Sequence, residues 1–375
     1  MPNSPNSTPN FGLADIPPNP PVHFAEQALL GGLLLDPHRI KTLGPLSPDR
    51  FASAIHRAIF AAMAALPAPS PDLHAKEPVW ITAVLAHARP HARGLTPSYL
   101  HALAGACPDP AHAPAYARMV RSDHARRTVL LHAGLLVQAA TDRGLPDPAT
   151  VTLSRADVLT TLLDQLAGSF PSHPGSLPRT PPPALPGLQV GPEVASEEQL
   201  LLSTATAYPE ALTSMRWLRP EDFTTELYGG LYRCLISLAG RAEPVDRVTV
   251  LWEAQQHGLL TPAFGSQEAL ELLATPAGSP EHWGEQILRR SLLHHAHRTG
   301  LQVQAFAQDL NNSPHQVITG SRRALAHLAA VRARWQQATG RTPAGRLPAP
   351  PAPASRAGPS PQRTSPPSAS SRSAR

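Results

Sequence analysis

Lysine is almost missing from this chain of 375 residues: Lys41 follows Ile40, Lys76 follows Ala75, and there is no other. A phosphate-binding loop needs Gly-rich backbone around the phosphates and a Lys, following Gly, that reaches them, so a P-loop is excluded. Cysteine is equally scarce. Cys107 and Cys234 lie far apart, each read within an apolar helical stretch, which leaves neither a disulfide framework nor a zinc pattern and suits a reducing cytoplasm. Aromatic residues make up 5% of the chain, and Val and Ile are thin beside Ala and Leu, a balance that favours helix over sheet. No apolar run approaches a membrane span, and MPNSPNSTPN lacks the features of a signal peptide; the expected location is cytoplasmic.

Catalytic patterns are missing too. The sequence holds no GxSxG elbow, no Cys/His nucleophile signature and no Rossmann glycine fingerprint. The pairs Glu197-Glu198 and Glu221-Asp222 fall where first turns of helices are expected, so they read as solvated acids complementing the helix dipole. His294, His295 and His297, and His87 with His91, stand among Leu, Ala and Arg, without the convergent ligands and supporting partners that zinc requires. The expectation is a protein without catalytic residues, cofactor or metal.

What is present is proline, 45 residues of it, concentrated with Ser in three stretches. These mark residues 1–22 and 341–375 as tails and 171–192 as a linker, since such composition cannot bury enough apolar surface to offset ordering entropy. The net charge of +5 is concentrated in the last stretch, where Arg341, Arg346, Arg356, Arg363, Arg372 and Arg375 occur without an acid, so the remainder is near neutral. The tail has two readings: a cationic segment that binds nucleic acid weakly and without sequence preference, or a solvating low-complexity end.

Between the Pro-rich stretches lie residues 23–170 and 193–340, and shifting the chain by 172 positions superimposes them. From 26 to 66 the pairs Glu26/Glu198, Gln27/Gln199, Leu29/Leu201, Leu30/Leu202, Pro37/Pro209, Leu46/Leu218, Pro48/Pro220, Phe51/Phe223 and Leu66/Leu238 are identical without a gap. Nine identities in 41 positions exceed the roughly three that chance would give, so the chain contains one module twice.

Helical spacing of Phe51, Ile55, Ile59, Ala62 and Leu66, and of Phe223, Leu227, Leu231, Cys234 and Leu238, predicts one amphipathic helix in each copy, opened by the Pro of LSPDRF or LRPEDF. Ser196-Glu197-Glu198-Gln199 reads as a capping box opening the second copy. Each copy then ends in a helical hairpin, over about 113–143 and 154–170 in the first and about 281–310 and 315–339 in the second. Their apolar stripes are Leu159, Leu162, Leu163, Leu166 and Phe170, and Leu325, Leu328, Val331 and Trp335.

The succession AEQALLGGLLLDP, LSPDRFASAIHRAIFAAMAAL and YARMVRSDHARR, with EEQLLL, LRPEDFTTELYGGLYRCLISL and EPVDRVTV in the second copy, resembles the N-terminal domain of DnaB-type replicative helicases. The resemblance implies an all-α bundle with a projecting hairpin, dimerisation through hairpins, assembly into a collar and docking of primase. Here a second copy and a tail stand where the family places a RecA-like ATPase. The Asp expected after PV is Asp246 in the second copy, whereas Trp80 follows PV in the first. The function so implied is a non-catalytic scaffold of DNA replication that engages a replicative helicase or primase or associates with itself. A nucleic-acid-binding accessory factor, using the tail and arginines such as Arg332 and Arg334, is the alternative. With both hairpins in one chain, the two stripes are expected to pair internally, as a pseudo-dimer, in preference to a homo-oligomer.

Overall fold

Proline opens most of the helices in the computed structural model, which describes residues 19–173, 175–183 and 191–340. The fixed φ of Pro suits the first helical position, where its missing N–H has no partner to lose. The first copy folds as α1 (Pro21–Leu35), α2 (Ala54–Ala65), α3 (Pro71–Lys76), α4 (Val79–Ala88), α5 (Pro97–Gly105), α6 (Ala113–Thr141) and α7 (Pro148–Ser169). The second comprises α8 (Pro192–Ala207), α9 (Ala211–Ser214), α10 (Glu226–Gly240), α11 (Arg247–Gln256), α12 (Ser266–Leu272), α13 (Pro280–Gln308) and α14 (Pro314–Ala338). The fold is all-α, and no strand occurs among the described residues. No helix among them is long and apolar enough to cross a membrane. The amino-terminal tail to residue 18 and the arginine-bearing tail from 341 lie outside the described residues.

Besides α7, which begins at Pro148 rather than near 154 because Asp147 caps it by accepting the Thr150 amide at 3.2 Å, two helix starts differ from the sequence expectation. Pro48 and Pro220 open short 3₁₀ turns, 48–50 and 220–222, after which the chain becomes extended at Phe51 and Phe223. The break lets each ring turn inward, where Phe51 meets Phe60 at 4.9 Å between centroids and Phe223 meets Tyr232 at 5.1 Å. The helices begin three residues later, capped by Ser53 and Thr225, which accept hydrogen bonds from the amides of His56 and Tyr228. The second correction concerns Ser196, which caps nothing. It sits inside α8, its hydroxyl donating to the Pro192 carbonyl at 2.9 Å, because Pro192 has already started the helix a turn earlier. Cys107, expected within a helix, follows the end of α5.

The apolar packing does not divide where the sequence repeat divides. One core belongs to the body of the first copy, from Leu29 through Phe51, Ile59 and Val84 to Val120. The other is continuous from the first copy's hairpin, through the second copy's hairpin, into the second copy's body, joining Leu136 and Leu159 to Val303, Leu325, Leu201 and Leu231. The first hairpin therefore packs as a portion of the second unit.

Candidate interface between the two copies

The helices α6 and α13 are each 29 residues long, each begins near a Pro and ends at an Asp C-cap, and they pack against each other more extensively than any other pair. At their crossing Gly300 stands over the Ala133 carbonyl and the Val137 side chain: a Cβ there would lie 3.2 Å from the former and 2.6 Å from the latter. One turn away the arrangement is reciprocal, with Gly134 facing Gln304. Since Ala133 and Gly300 occupy the same position in their equal-length helices, the crossing lies close to a local twofold relation between the hairpins. Gly300→Val is therefore expected to push the hairpins apart and lower stability by about 1–3 kcal/mol, the usual cost of overpacking, with a lowered urea midpoint as the check. A variant as stable as the wild type would mean that the helices do not approach this closely in solution.

Around this crossing the stripe residues come together. Leu159 and Leu163 of α7 are fully buried, Leu325, Leu328, Val331 and Trp335 of α14 are buried, and Leu162, Leu166 and Phe170 pack half-buried on the same core. The rim is ionic. Arg322 meets Asp164 at 2.8 Å and Arg332 chelates Asp157, both bridging α14 to α7. Across the copies Arg126 of α6 donates to the carbonyls of Ala307, Asp309 and Asn312, setting a guanidinium at the negative end of α13. Within the expected linker, Leu177, Arg179 and Thr180 are held against the hairpin turn. The Arg179 amide donates to Asn312 Oδ1 at 3.1 Å, Gln316 Nε2 donates to the Leu177 carbonyl at 3.0 Å, and the Thr180 hydroxyl bonds Asp309.

The acids read as solvated are partly buried. Glu26 and Glu198 are both fully inaccessible and do the same work in the two copies. Glu26 accepts the amides of Ala52 and Ser53 and bonds His56 Nδ1 at 2.7 Å, while His56 Nε2 meets the Tyr99 hydroxyl at 2.8 Å. Glu198 accepts the Thr224 amide and hydroxyl, both at 2.9 Å, with Arg290 beside it. Each carboxylate thus satisfies the backbone that the Phe51 or Phe223 break leaves unpaired. Asp222 is buried as well and ties three elements together, receiving the Arg219 amide at 2.8 Å, the Ser291 hydroxyl of α13 at 2.6 Å and both terminal nitrogens of Arg334 of α14. Glu197 and Glu221 keep the expected exposed or half-exposed setting. The repeat holds a signal for the first pair, because Glu26/Glu198 is the first of the identities; nothing in sequence points to Arg334 as the partner of Asp222.

Burial raises the Glu198 carboxyl above its ordinary 4.5, against the opposing pull of Thr224 and Arg290. The folded state therefore holds that proton to higher pH than the unfolded chain does. The contribution is fully present below the unfolded value and is lost as pH rises through the raised one. Glu198→Gln removes this dependence, so the variant should gain on the wild type as pH rises above the ordinary carboxyl value of 4.5. Equal pH slopes of the two urea midpoints would show that Glu198 titrates normally in the folded state.

Among the described residues no three His, Cys, Asp or Glu side chains converge as a metal site. His294 and His295 are held below the ordinary imidazole value by burial first; neighbouring histidines and Arg298 push His294 the same way, whereas the nearby Asp222 carboxylate opposes the shift at His295. Arg332 and Arg334, offered to nucleic acid in the alternative reading, are engaged by Asp157 and Asp222. The tail arginines Arg341, Arg346, Arg356, Arg363, Arg372 and Arg375 lie outside the described residues.

The duplication of the helical body agrees with the comparison to known families. The DnaB-like helicase N terminal domain matches residues 19–122 and again 191–287, together more than half of the chain. The chain belongs to that family. Both matches end within the long helices α6 and α13, so most of each hairpin lies beyond the matched residues. The match is to the N-terminal domain alone, in two tandem copies. No solved structure matches the chain.

Proposed function

We propose that this protein is a non-catalytic scaffold of the DNA replication machinery, a pair of DnaB-type collar modules closed on each other, that docks a replicative helicase or its primase. The observation that carries the reading is the packing of α6 and α7 against α13 and α14 within one chain. Where the resemblance implies hairpin dimers between chains, this chain supplies both hairpins itself, and the shared core with its ionic rim occupies the surfaces that would otherwise recruit a second copy. The two bodies are then left to face partners. Absence of a phosphate-binding Lys supports a role without a motor of its own.

The test is co-purification of the protein lacking residues 341–375 with the replicative helicase and primase of the same cell. Stoichiometric co-elution with either supports the proposal; co-elution with neither, at concentrations where the helicase and primase bind one another, contradicts it. Binding that requires nucleic acid and disappears with residues 341–375 would favour the accessory-factor reading, since contacts through a cationic tail are released by salt.

A further inference from the structure

Between α13, α14 and the anchored residues 177–182 lies a cavity of about 470 Å3, within the size range of small-ligand sites. Helical periodicity assembles it. His295, Arg298, Gln302 and Phe306 follow one face of α13, and Gly320, Arg323 and His327 follow one face of α14, so two guanidiniums and two imidazoles converge on one space. Among the described residues no carboxylate lines it. Arg290, Arg322, Arg332 and Arg334 of these helices each have a carboxylate, whereas Arg298 and Arg323, like Arg289 of α13 outside the cavity, have neither ion pair nor hydrogen bond among the described residues.

The inner wall has a different character. Phe306 and Ala324 are buried beneath the cations, and Pro178 closes the side. Pro178 can sit there only because residue 320 is glycine, as a Cβ at that position would lie 2.2 Å from its Cγ. The hydroxyls of Thr180 and Thr299 and the amide of Gln302 complete the lining with neutral hydrogen-bonding groups.

We propose that this cavity binds a small phosphate-bearing ligand with an apolar portion, of the class of a nucleoside phosphate. Arg298 and Arg323 take the phosphate, as paired guanidiniums do well, and the apolar portion lies against Phe306 and Pro178. No hydrolysis is implied. Because Pro178 and Thr180 belong to the segment joining the copies, an occupied site also holds that segment on the second hairpin.

Isothermal titration of the full chain with ADP, inorganic phosphate and a short single-stranded oligonucleotide tests this. ADP should bind, and more tightly than inorganic phosphate, because phosphate alone leaves the apolar wall unused. Arg298→Gln with Arg323→Gln, both at exposed positions, should weaken ADP at least about tenfold, the loss expected for charge-assisted hydrogen bonds, with unchanged helical circular dichroism. Gly320→Val, which displaces Pro178 without touching a charge, should weaken ADP also. The proposal is overturned if ADP shows no binding at about millimolar concentration, if the arginine variant binds ADP as the wild type does, or if the oligonucleotide alone binds with this arginine dependence, which would make the cavity a segment of a nucleic-acid track.

Discussion

Leu163→Asp is expected to lower stability by about 4–5 kcal/mol, among the largest single-site effects a domain shows. Leu163 is fully buried in the core that unites both hairpins with the second body. An Asp there either ionises without a partner or takes up a proton at a steep cost, and in both cases the apolar contacts of the leucine are lost. The effect should be confined. The first body has its own core, which contains neither Leu163 nor any residue of the hairpins beyond Val120. Urea denaturation should therefore split into two transitions, an early one for the hairpins with the second body and a later one retaining the first body. Leu166→Asp, at a half-buried position, should follow the same pattern with a smaller shift. The stripes alone suggest that such substitutions would separate the halves and leave each intact; the continuity of the core predicts instead that the second body loosens with the hairpins. A single transition at the wild-type midpoint would contradict this.

Asp222→Ala is expected to cost about 3–5 kcal/mol, the range for breaking a buried ion pair by removing one partner. Arg334 would lose its carboxylate while its side chain remains largely covered, and the Ser291 hydroxyl and Arg219 amide would lose their acceptor. A double-mutant cycle separates loss of the pair from the cost of an orphaned charge. Asp222→Ala combined with Arg334→Met should be clearly more stable than Asp222→Ala alone, since an apolar side chain of similar length fills the same space without a buried charge. If the two substitutions add without coupling, Asp222 and Arg334 do not meet in solution.

Much of this architecture is legible in the sequence, because it rests on periodicity. The duplication follows from Glu26/Glu198 to Leu66/Leu238, and the hairpins from the stripes of Leu159 and Leu325, since an amphipathic helix writes its buried face at helical spacing. What stays hidden depends on which distant groups meet. Glu198 and Asp222 occur in acidic, Pro-flanked runs that look like solvated first turns, and only the inward turn of Phe223 places both beneath the surface. The linker looks free by composition, yet Gly320 leaves a seat for Pro178 and Asn312 an acceptor for the Arg179 amide. Nor does local pattern reveal that the first hairpin packs with the second body, because apolar periodicity names a buried face and not its neighbour.

Closure of both hairpins on each other within one chain is open to direct test by multi-angle light scattering of the full chain across a concentration series. A single species at the mass of one chain, 39.9 kDa, is expected at every concentration. A species at twice that mass or more, which Leu163→Asp converts to folded monomers, would show that the hairpins pair between chains and would contradict internal closure.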